Sequence, residues 1–335
     1  MSPFFQSDSL KLSYFNFIKE WETSSLIRVK TSGSTGEAKE ICFSQKQMLV
    51  SALKTIHFFD LIPESKALLC LSMDTIAGKM MIVRSMVGKW NLIICEPTAN
   101  PLKYLNEDYD FAAFVPLQIQ KILDENPEKL KRIKTIIVGG SPISNELIEK
   151  LKTNDITVYQ TFGMTETVSH IALRKIGKNS EQYYTTLNGI SVSESNSQLA
   201  ISYPEMFNQE LVTNDIVQII SSDKFEWLGR ADFIINSGGI KMNPELLENK
   251  LSLLYSFPFF LTGLPDEILG SKLALVIEKQ DELFVSKNEL LNFLEKFEIP
   301  KVYVVLDSFI RTESGKINRI QTLNKIESTQ WNTIH

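Results

Sequence analysis

The chain has 335 residues, 43% of them hydrophobic, and a formal net charge of −5; this is length and apolar content enough for two domains, each with its own core. The acidic balance argues against a nucleic-acid footprint, which is normally a basic patch, and the basic residues are spread out, so an anionic ligand must be met locally. No apolar run approaches the roughly 20 residues of a membrane span.

The first eight residues, Met1-Ser2-Pro3-Phe4-Phe5-Gln6-Ser7-Asp8, lack the basic start and apolar core of a secretory signal. Cys42, Cys70 and Cys95 form an odd set with no CxxC and no adjacent histidine. They read as reduced, mostly buried thiols of a cytoplasmic protein and not as a zinc site or disulfide frame. Leu10, Tyr14, Phe15, Ile18 and Trp21 recur at near-helical spacing, which predicts an amphipathic helix over 11–22. Then comes Thr31-Ser32-Gly33-Ser34-Thr35-Gly36-Glu37-Ala38-Lys39, with two glycines, four hydroxyl side chains and a lysine in one short turn. Glycine allows close backbone approach, and successive N–H groups, hydroxyls and a lysine suit a phosphate. It is not the Walker loop, because Glu37 and Ala38 separate Gly36 from Lys39. Alone, such a cluster is more often an ordinary flexible loop.

Ser44 is placed to cap a helix running through about residue 57, with Met48, Leu49, Ala52, Leu53 and Ile56 in one apolar stripe. Short apolar runs at 67–71, 91–95, 111–115, 135–138 and 156–159 predict buried strands, with helices near 78–87, 116–126 and 144–152. Alternation of this kind predicts an α/β fold with a mainly parallel sheet, and ligands of such sheets gather beyond the strand C-termini. Gly139-Gly140-Ser141-Pro142 and the segment 161–167 both lie there. From 182 to 226 the pattern becomes short and strand-like, predicting a small antiparallel, barrel-like part. Beyond Arg230 a helix (244–254), a strand (273–278), a helix (287–297) and a strand (301–306) predict a smaller α+β domain. The expected division is 1–229 and 230–335.

Three later segments join the glycine loop: Tyr159-Gln160-Thr161-Phe162-Gly163-Met164-Thr165-Glu166-Thr167; Trp227-Leu228-Gly229-Arg230-Ala231-Asp232 with Ser237-Gly238-Gly239-Ile240-Lys241-Met242-Asn243-Pro244; and Arg311-Thr312-Glu313-Ser314-Gly315-Lys316-Ile317-Asn318-Arg319. Together and in this order they resemble the adenylate-forming superfamily of acyl-CoA synthetases, luciferases and adenylation domains, from about residue 30 to about residue 320. The resemblance implies that a carboxylate joins the α-phosphate of ATP with loss of pyrophosphate, and that a thiol, usually that of coenzyme A, then takes the acyl group. Such chemistry needs positioning and charge neutralisation and no enzyme nucleophile.

By the same resemblance, Thr31, Ser32, Gly33, Ser34, Thr35, Gly36 and Lys39 would hold the β- and γ-phosphates. Gly139, Gly140, Ser141, Phe162 and Gly163 would take part in binding the nucleotide, with Phe162 stacking on its adenine. Thr165 would bond the α-phosphate and Glu166 would ligate Mg²⁺. Asp215 would bind the ribose hydroxyls and Arg230 would make a second ribose or phosphate contact. Lys316 would stabilise the adenylation transition state, Asp232 would be the hinge of a mobile C-terminal domain, and Gly238 and Gly239 would face the thiol. Alone, Glu166, Asp215, Arg230 and Lys316 would each read as solvated surface charges. Asn236 stands where a lysine is common and Leu246 where a glutamate is common. Only 30 residues precede the glycine loop, against well over a hundred in fuller members, and a homodimer burying that region is one expectation.

The Met164-Thr165-Glu166-Thr167 form followed by Ser169-His170 resembles the o-succinylbenzoate:CoA ligases of menaquinone biosynthesis. Their substrate has two carboxylates and a ring. Lys79, Arg84, Ser169, His170 and Arg174 are candidate donors to the carboxylate that is not activated, and Met80 or Met81 could contact the ring. An acyl-CoA ligase for another aryl or aliphatic acid, a carrier-loading adenylation enzyme and a non-catalytic nucleotide- or acyl-binding homologue stay open at this point. Lys316 argues against the last, because binding alone needs no adenylation lysine.

Overall fold

The computed structural model describes residues 3–30, 40–279, 281, 283–312 and 316–335. After a short strand β1 (Phe4–Phe5), helix α1 (Asp8–Thr23) starts at a Ser7 cap and buries Leu10 and Phe17. Strands β2 (Leu26–Lys30) and β3 (Glu40–Ser44) pair antiparallel and flank the glycine loop, whose residues 31–39 lie outside the described ones. Ser44 then caps α2 (Gln45–Phe58). Its hydroxyl accepts the Gln47 N–H at 3.2 Å while the Gln47 side chain accepts the Ser44 N–H at 2.9 Å, a reciprocal capping box.

The alternation of strands and helices follows: β4 (Lys66–Leu69), α3 (Ile76–Gly88), β5 (Asn91–Ile94), β6 (Tyr109–Phe114), α4 (Pro116–Glu125), β7 (Ile133–Val138), α5 (Asn145–Thr153) and β8 (Val158–Gly163). Strands β1, β5, β4, β6, β7 and β8 lie side by side in that order and pair in parallel. Successive residues feed opposite cores: Phe111 and Ala113 enter one, Ala112 and Phe114 the other. Burial on both faces is why these strands read as unbroken apolar runs. Helix α3 is apolar nearly all round, and Met80, Met81, Ile82, Val83 and Arg84 are all buried.

The antiparallel part forms as expected, but it continues the same sheet. Strand β9 (His170–Ile176) pairs with β8, and β10 (Tyr184–Thr186), β11 (Ser191–Ser195), β12 (Gln198–Ser202), β13 (Leu211–Ser221) and β14 (Lys224–Arg230) complete a 12-stranded sheet that ends β9-β10-β14-β13-β12-β11. The sequence showed no strand over His170–Ile176, since His170, Arg174 and Lys175 interrupt its apolar pattern.

After β14 a small hairpin, β15 (Ile235–Ser237) and β16 (Ile240–Met242), leads to α6 (Pro244–Leu251). Strands β17 (Phe259–Asp266), β18 (Gly270–Glu278), β19 (Val302–Leu306) and β20 (Asn332–Thr333) make a separate four-stranded sheet. Leu261, Leu273, Leu275 and Ile277 bury one face under α6, while Phe260, Val276 and Val304 bury the other. The helix expected over 287–297 is shorter: α7 spans Lys287–Leu290 and the chain goes on in turns. There the Glu298 carboxylate takes the Glu295 N–H at 2.9 Å, and Pro300 follows. A last helix, α8 (Arg319–Leu323), follows Lys316. Among the described residues, no helix is long and apolar enough to cross a membrane.

Candidate active site

Two neighbouring strands, β13 and β14, and one stretch distant in sequence meet where β14 ends. Asp215 and Arg230 are register partners on these strands. The Asp215 carboxylate accepts the Trp227 indole N–H at 2.9 Å, and burial raises its pKa against that bond. Lys316 arrives from the loop before α8. Burial lowers the pKa of its amine, the Arg230 charge adds to the lowering, and Asp215 acts against it. A lysine drawn out of water beside one cation and one carboxylate is typical of an electrostatic site. Its neighbours Glu313, Ser314 and Gly315 lie outside the described residues.

Arg230 and Asp232 engage each other: the guanidinium donates to both carboxylate oxygens, at 2.9 and 2.7 Å. The backbone of Arg230 is held by α6, whose Glu245 accepts the Arg230 N–H at 2.6 Å. Asn243, the α6 cap, donates to Leu228 O at 2.9 Å. Gly229 fits because a Cβ there would stand 2.5 Å from the Glu245 carboxylate. Burial pushes the Glu245 carboxyl up to about 7.

The second part is the β8–β9 turn. Thr165–Thr167 form a single 3₁₀ turn in which Thr165 is half-buried and Glu166 exposed. Val168 follows at φ 67°, a costly conformation for a β-branched residue. Thr167 fastens the turn, its hydroxyl accepting the Met164 N–H at 3.0 Å and lying 2.7 Å from Ser169 O. Gly163 lets the strands close, since a Cβ there would be 2.5 Å from Ser169 O. The Phe162 ring packs against Phe225 and Tyr184, with centroids at 5.0 and 5.5 Å. Gly139 ends β7 with no room for a side chain, as Thr161 Oγ1 lies 2.3 Å from where its Cβ would be; Gly140 next to it has φ +90°. Ser141, half-buried, begins the loop that follows.

Beneath this turn lies a buried polar cluster. Arg84, only 2% exposed, donates through Nε to Thr55 Oγ1 at 3.2 Å and through Nη2 to Ser169 Oγ at 2.6 Å. His170 sits between the same two residues, its Nε2 3.2 Å from Thr55 Oγ1 and its Nδ1 3.4 Å from Ser169 Oγ. Burial and the Arg84 charge push its imidazole well below the usual range, so it is neutral. Burial lowers the Arg84 guanidinium to about 10. Among the described residues, no carboxylate pairs with Arg84.

Of the expected acyl-pocket donors, Arg84, Ser169 and His170 come together and Lys79 does not. Its ammonium is engaged by Glu20 at 3.1 Å and by Arg28 O at 2.8 Å, tying α3 to α1 and β2. Arg174 donates to Gln160 at 2.6 Å and lies over the Tyr184 ring, with its Nε buried and unpartnered among the described residues. Thr55, which the sequence reading missed, is the hydroxyl shared by Arg84 and His170; its one sequence signal is a polar residue on the apolar stripe of α2. Gly238 and Gly239 form the turn of the β15–β16 hairpin with φ +58° and +85°, and Gly238 packs on Leu269. The conformation suits glycine. No group of three or more His, Cys, Asp or Glu able to hold a metal occurs among the described residues.

The large sheet is an α/β sheet covered on both faces, and Lys316 from the loop before α8 stands near Arg230 and Asp215 at its antiparallel part. The sequence profile of AMP-binding enzymes matches residues 29–201, and the chain belongs to that family. It is similar to a 2-succinylbenzoate–CoA ligase of Bacillus thuringiensis subsp. konkukian, at 24% identity over 89% of this chain and 70% of that protein. A ligase of the same name from Listeria monocytogenes serovar 1/2a is 23% identical over 90% and 70%. Among solved structures, an acyl-CoA synthetase (AMP-forming)/AMP-acid ligase II-like protein from Dyadobacter fermentans is 34% identical over 95% of both chains, with a TM-score of 0.63. An O-succinylbenzoate coenzyme A synthetase from Bacillus subtilis, solved with ATP and magnesium ion, shares the fold at 20% identity and TM-score 0.75, over 88% of this chain and 69% of that one.

Proposed function

We propose that the protein is an ATP- and Mg²⁺-dependent acid–thiol ligase acting on o-succinylbenzoate and coenzyme A in the cytoplasm. The observation that carries the reaction class is the meeting of Lys316, Arg230 and Asp215 from separate stretches of chain. In the first half-reaction a carboxylate oxygen of the acid attacks the α-phosphorus of ATP, and the bond to the pyrophosphate oxygen breaks. Negative charge builds on the phosphate oxygens, and the Lys316 ammonium offsets it in a site where burial strengthens every charge. Asp215 would take the ribose hydroxyls, the half-buried Thr165 the α-phosphate, and Phe162 one face of the base. The glycine loop 31–39 would hold the outer phosphates. Glu166 is one exposed carboxylate with no metal-binding cluster around it among the described residues. That suits Mg²⁺, which takes one or two protein carboxylates and completes its shell with phosphate oxygens and water; the ion would neutralise phosphate charge.

In the second half-reaction the thiol sulfur attacks the acyl carbon and AMP leaves. We place the hinge at Asp232 and the division of domains at Arg230. Turning there would break the Arg230–Asp232 pair, withdraw Lys316 and bring the Gly238-Gly239 turn inward. Arg84 supports the dicarboxylate: a buried guanidinium with two hydroxyl partners and no carboxylate among the described residues is a natural seat for a second carboxylate. A homodimer through Leu12 and Phe15, the exposed apolar side chains of α1, is the assembly we favour, and light scattering tests it.

The test is pyrophosphate release with ATP, Mg²⁺ and a panel of carboxylic acids, with and without coenzyme A. Release specific to o-succinylbenzoate with thioester formation is expected. Activity with other acids alone would discard the substrate and keep the chemistry; no release with any acid would discard both.

A further inference from the structure

Phe233 follows the hinge residue Asp232 directly, and the proposed reaction gives it no part. Its half-buried ring lies near two guanidiniums. Arg230 stands 5.9 Å from the ring centroid and Arg319 stands 4.9 Å from it. Each arginine has its own carboxylate: Arg230 is forked onto Asp232, and Arg319 donates to Glu248 at 2.8 Å. Glu248 in turn accepts the Leu261 N–H at 2.7 Å, so the series ends on β17. The result is a continuous relay of Asp232, Arg230, Phe233, Arg319 and Glu248 from the end of β14 to the small sheet. Arg319 opens α8, three residues after Lys316.

Glu245 also lies between the two arginines, accepting the Arg230 N–H at 2.6 Å and interacting with the charge of both. As like charges the arginines repel; a carboxylate offsets each of them, and the ring adds an attraction for both cations. The Lys316 loop has local bonds of its own: Thr312 N–H to Lys316 O at 2.8 Å, and Lys316 N–H to Thr312 Oγ1 at 3.2 Å. Arg311, at the start of the loop, is forked onto Glu278 and fastens it to the small sheet. The Phe233 contacts tie the loop to Arg230, the cation whose charge Lys316 feels.

We propose that Phe233 is a positioning residue for the adenylation half-reaction, holding the Lys316 loop in register over Asp215 and Arg230 through its two arginine contacts. This rests on the reading of the protein as an adenylate-forming ligase. Turning at Asp232 would separate Arg230 from Phe233, so the contact acts in the first half-reaction and is released for the second.

Phe233→Leu keeps apolar bulk and removes the ring face; Phe233→Trp keeps the face. Acid-dependent ATP–pyrophosphate exchange reads the first half-reaction, and thioester formation from preformed o-succinylbenzoyl-adenylate and coenzyme A reads the second. Losing two cation–π contacts should slow exchange about 5- to 30-fold in the leucine variant. Thioester formation should stay within about twofold of wild type, exchange should recover in the tryptophan variant, and the leucine change should add nothing in a Lys316→Ala background. Equal slowing of both half-reactions, or a full further loss in the Lys316→Ala background, would overturn the inference and make Phe233 structural. A wild-type protein without acid-dependent exchange would instead overturn the ligase reading and this inference with it.

Discussion

Replacing Arg84 by methionine should raise stability and lower activity, an unusual pairing that follows from its surroundings. Burial lowers this guanidinium from its ordinary value to about 10. A base whose folded pKa lies below its unfolded value is held charged at a cost at every pH below the folded value, pH 7 included. The shift corresponds to about 3 kcal/mol. Methionine removes that cost together with the bonds to Thr55 and Ser169. Those hydroxyls keep His170 and, for Thr55, Ser51 O as partners, so about 1 to 2 kcal/mol of the gain should remain. Thermal melting at pH 7 should then show a midpoint a few degrees higher. Kinetically, an o-succinylbenzoate carboxylate would lose its buried partner. Truncating one side of a buried charge pair costs about 2 to 5 kcal/mol, or roughly 30- to 5,000-fold in kcat/KM. Analogues carrying only the activated carboxylate should change by less than about threefold, because they have no second charge to leave unpaired. A variant that melts lower and keeps its preference for the dicarboxylate would refute the reasoning on both counts.

Glu245→Gln should be stabilising at neutral and alkaline pH. The carboxyl is raised to about 7 by burial, so its stabilising contribution is full below the unfolded value near 4.5 and is lost as pH rises through 7. The variant minus wild-type stability should therefore grow between pH 5 and pH 8, by up to about 3 kcal/mol, in urea titrations; a difference flat with pH would contradict it. Gly163→Ala should lose about 1 to 3 kcal/mol by overpacking, since its Cβ would meet Ser169 O at 2.5 Å and His170 Cα at 2.6 Å. Its KM for the acid should rise with the displaced Ser169, and an unchanged KM would separate the turn from the acyl pocket.

Local signals carried most of the large sheet. The Ser44 cap, the apolar stripe of α2 and the two-sided burial of β4 to β8 are written in short windows of sequence. What escaped depends on partners distant in the chain. Strand β9 reads as polar because its charged residues are satisfied only once β8 and β10 flank it. Strand β17 is broken in pattern by Gly263 and Pro265, and α7 ends early because Glu298 takes a backbone donor. At the site, the ordered motifs named Asp215, Arg230 and Lys316, which do gather. Thr55 was hidden among apolar helix positions, and the Lys79 ion pair with Glu20 spans 59 residues of sequence. Neither the Arg230–Asp232 fork nor the Phe233 contacts could be read without coordinates, since residues two or three apart do not reveal which way they turn.

A single-turnover experiment tests most directly whether this chain forms and uses an acyl-adenylate. Protein in excess over o-succinylbenzoate, mixed with ATP and Mg²⁺ but no coenzyme A, should give one pyrophosphate and one o-succinylbenzoyl-adenylate per acid. The adenylate should pass into the thioester when coenzyme A is added, and Lys316→Ala should slow its formation by about two to three orders of magnitude. Pyrophosphate without acid dependence, or thioester formed with no adenylate before it, would contradict the account.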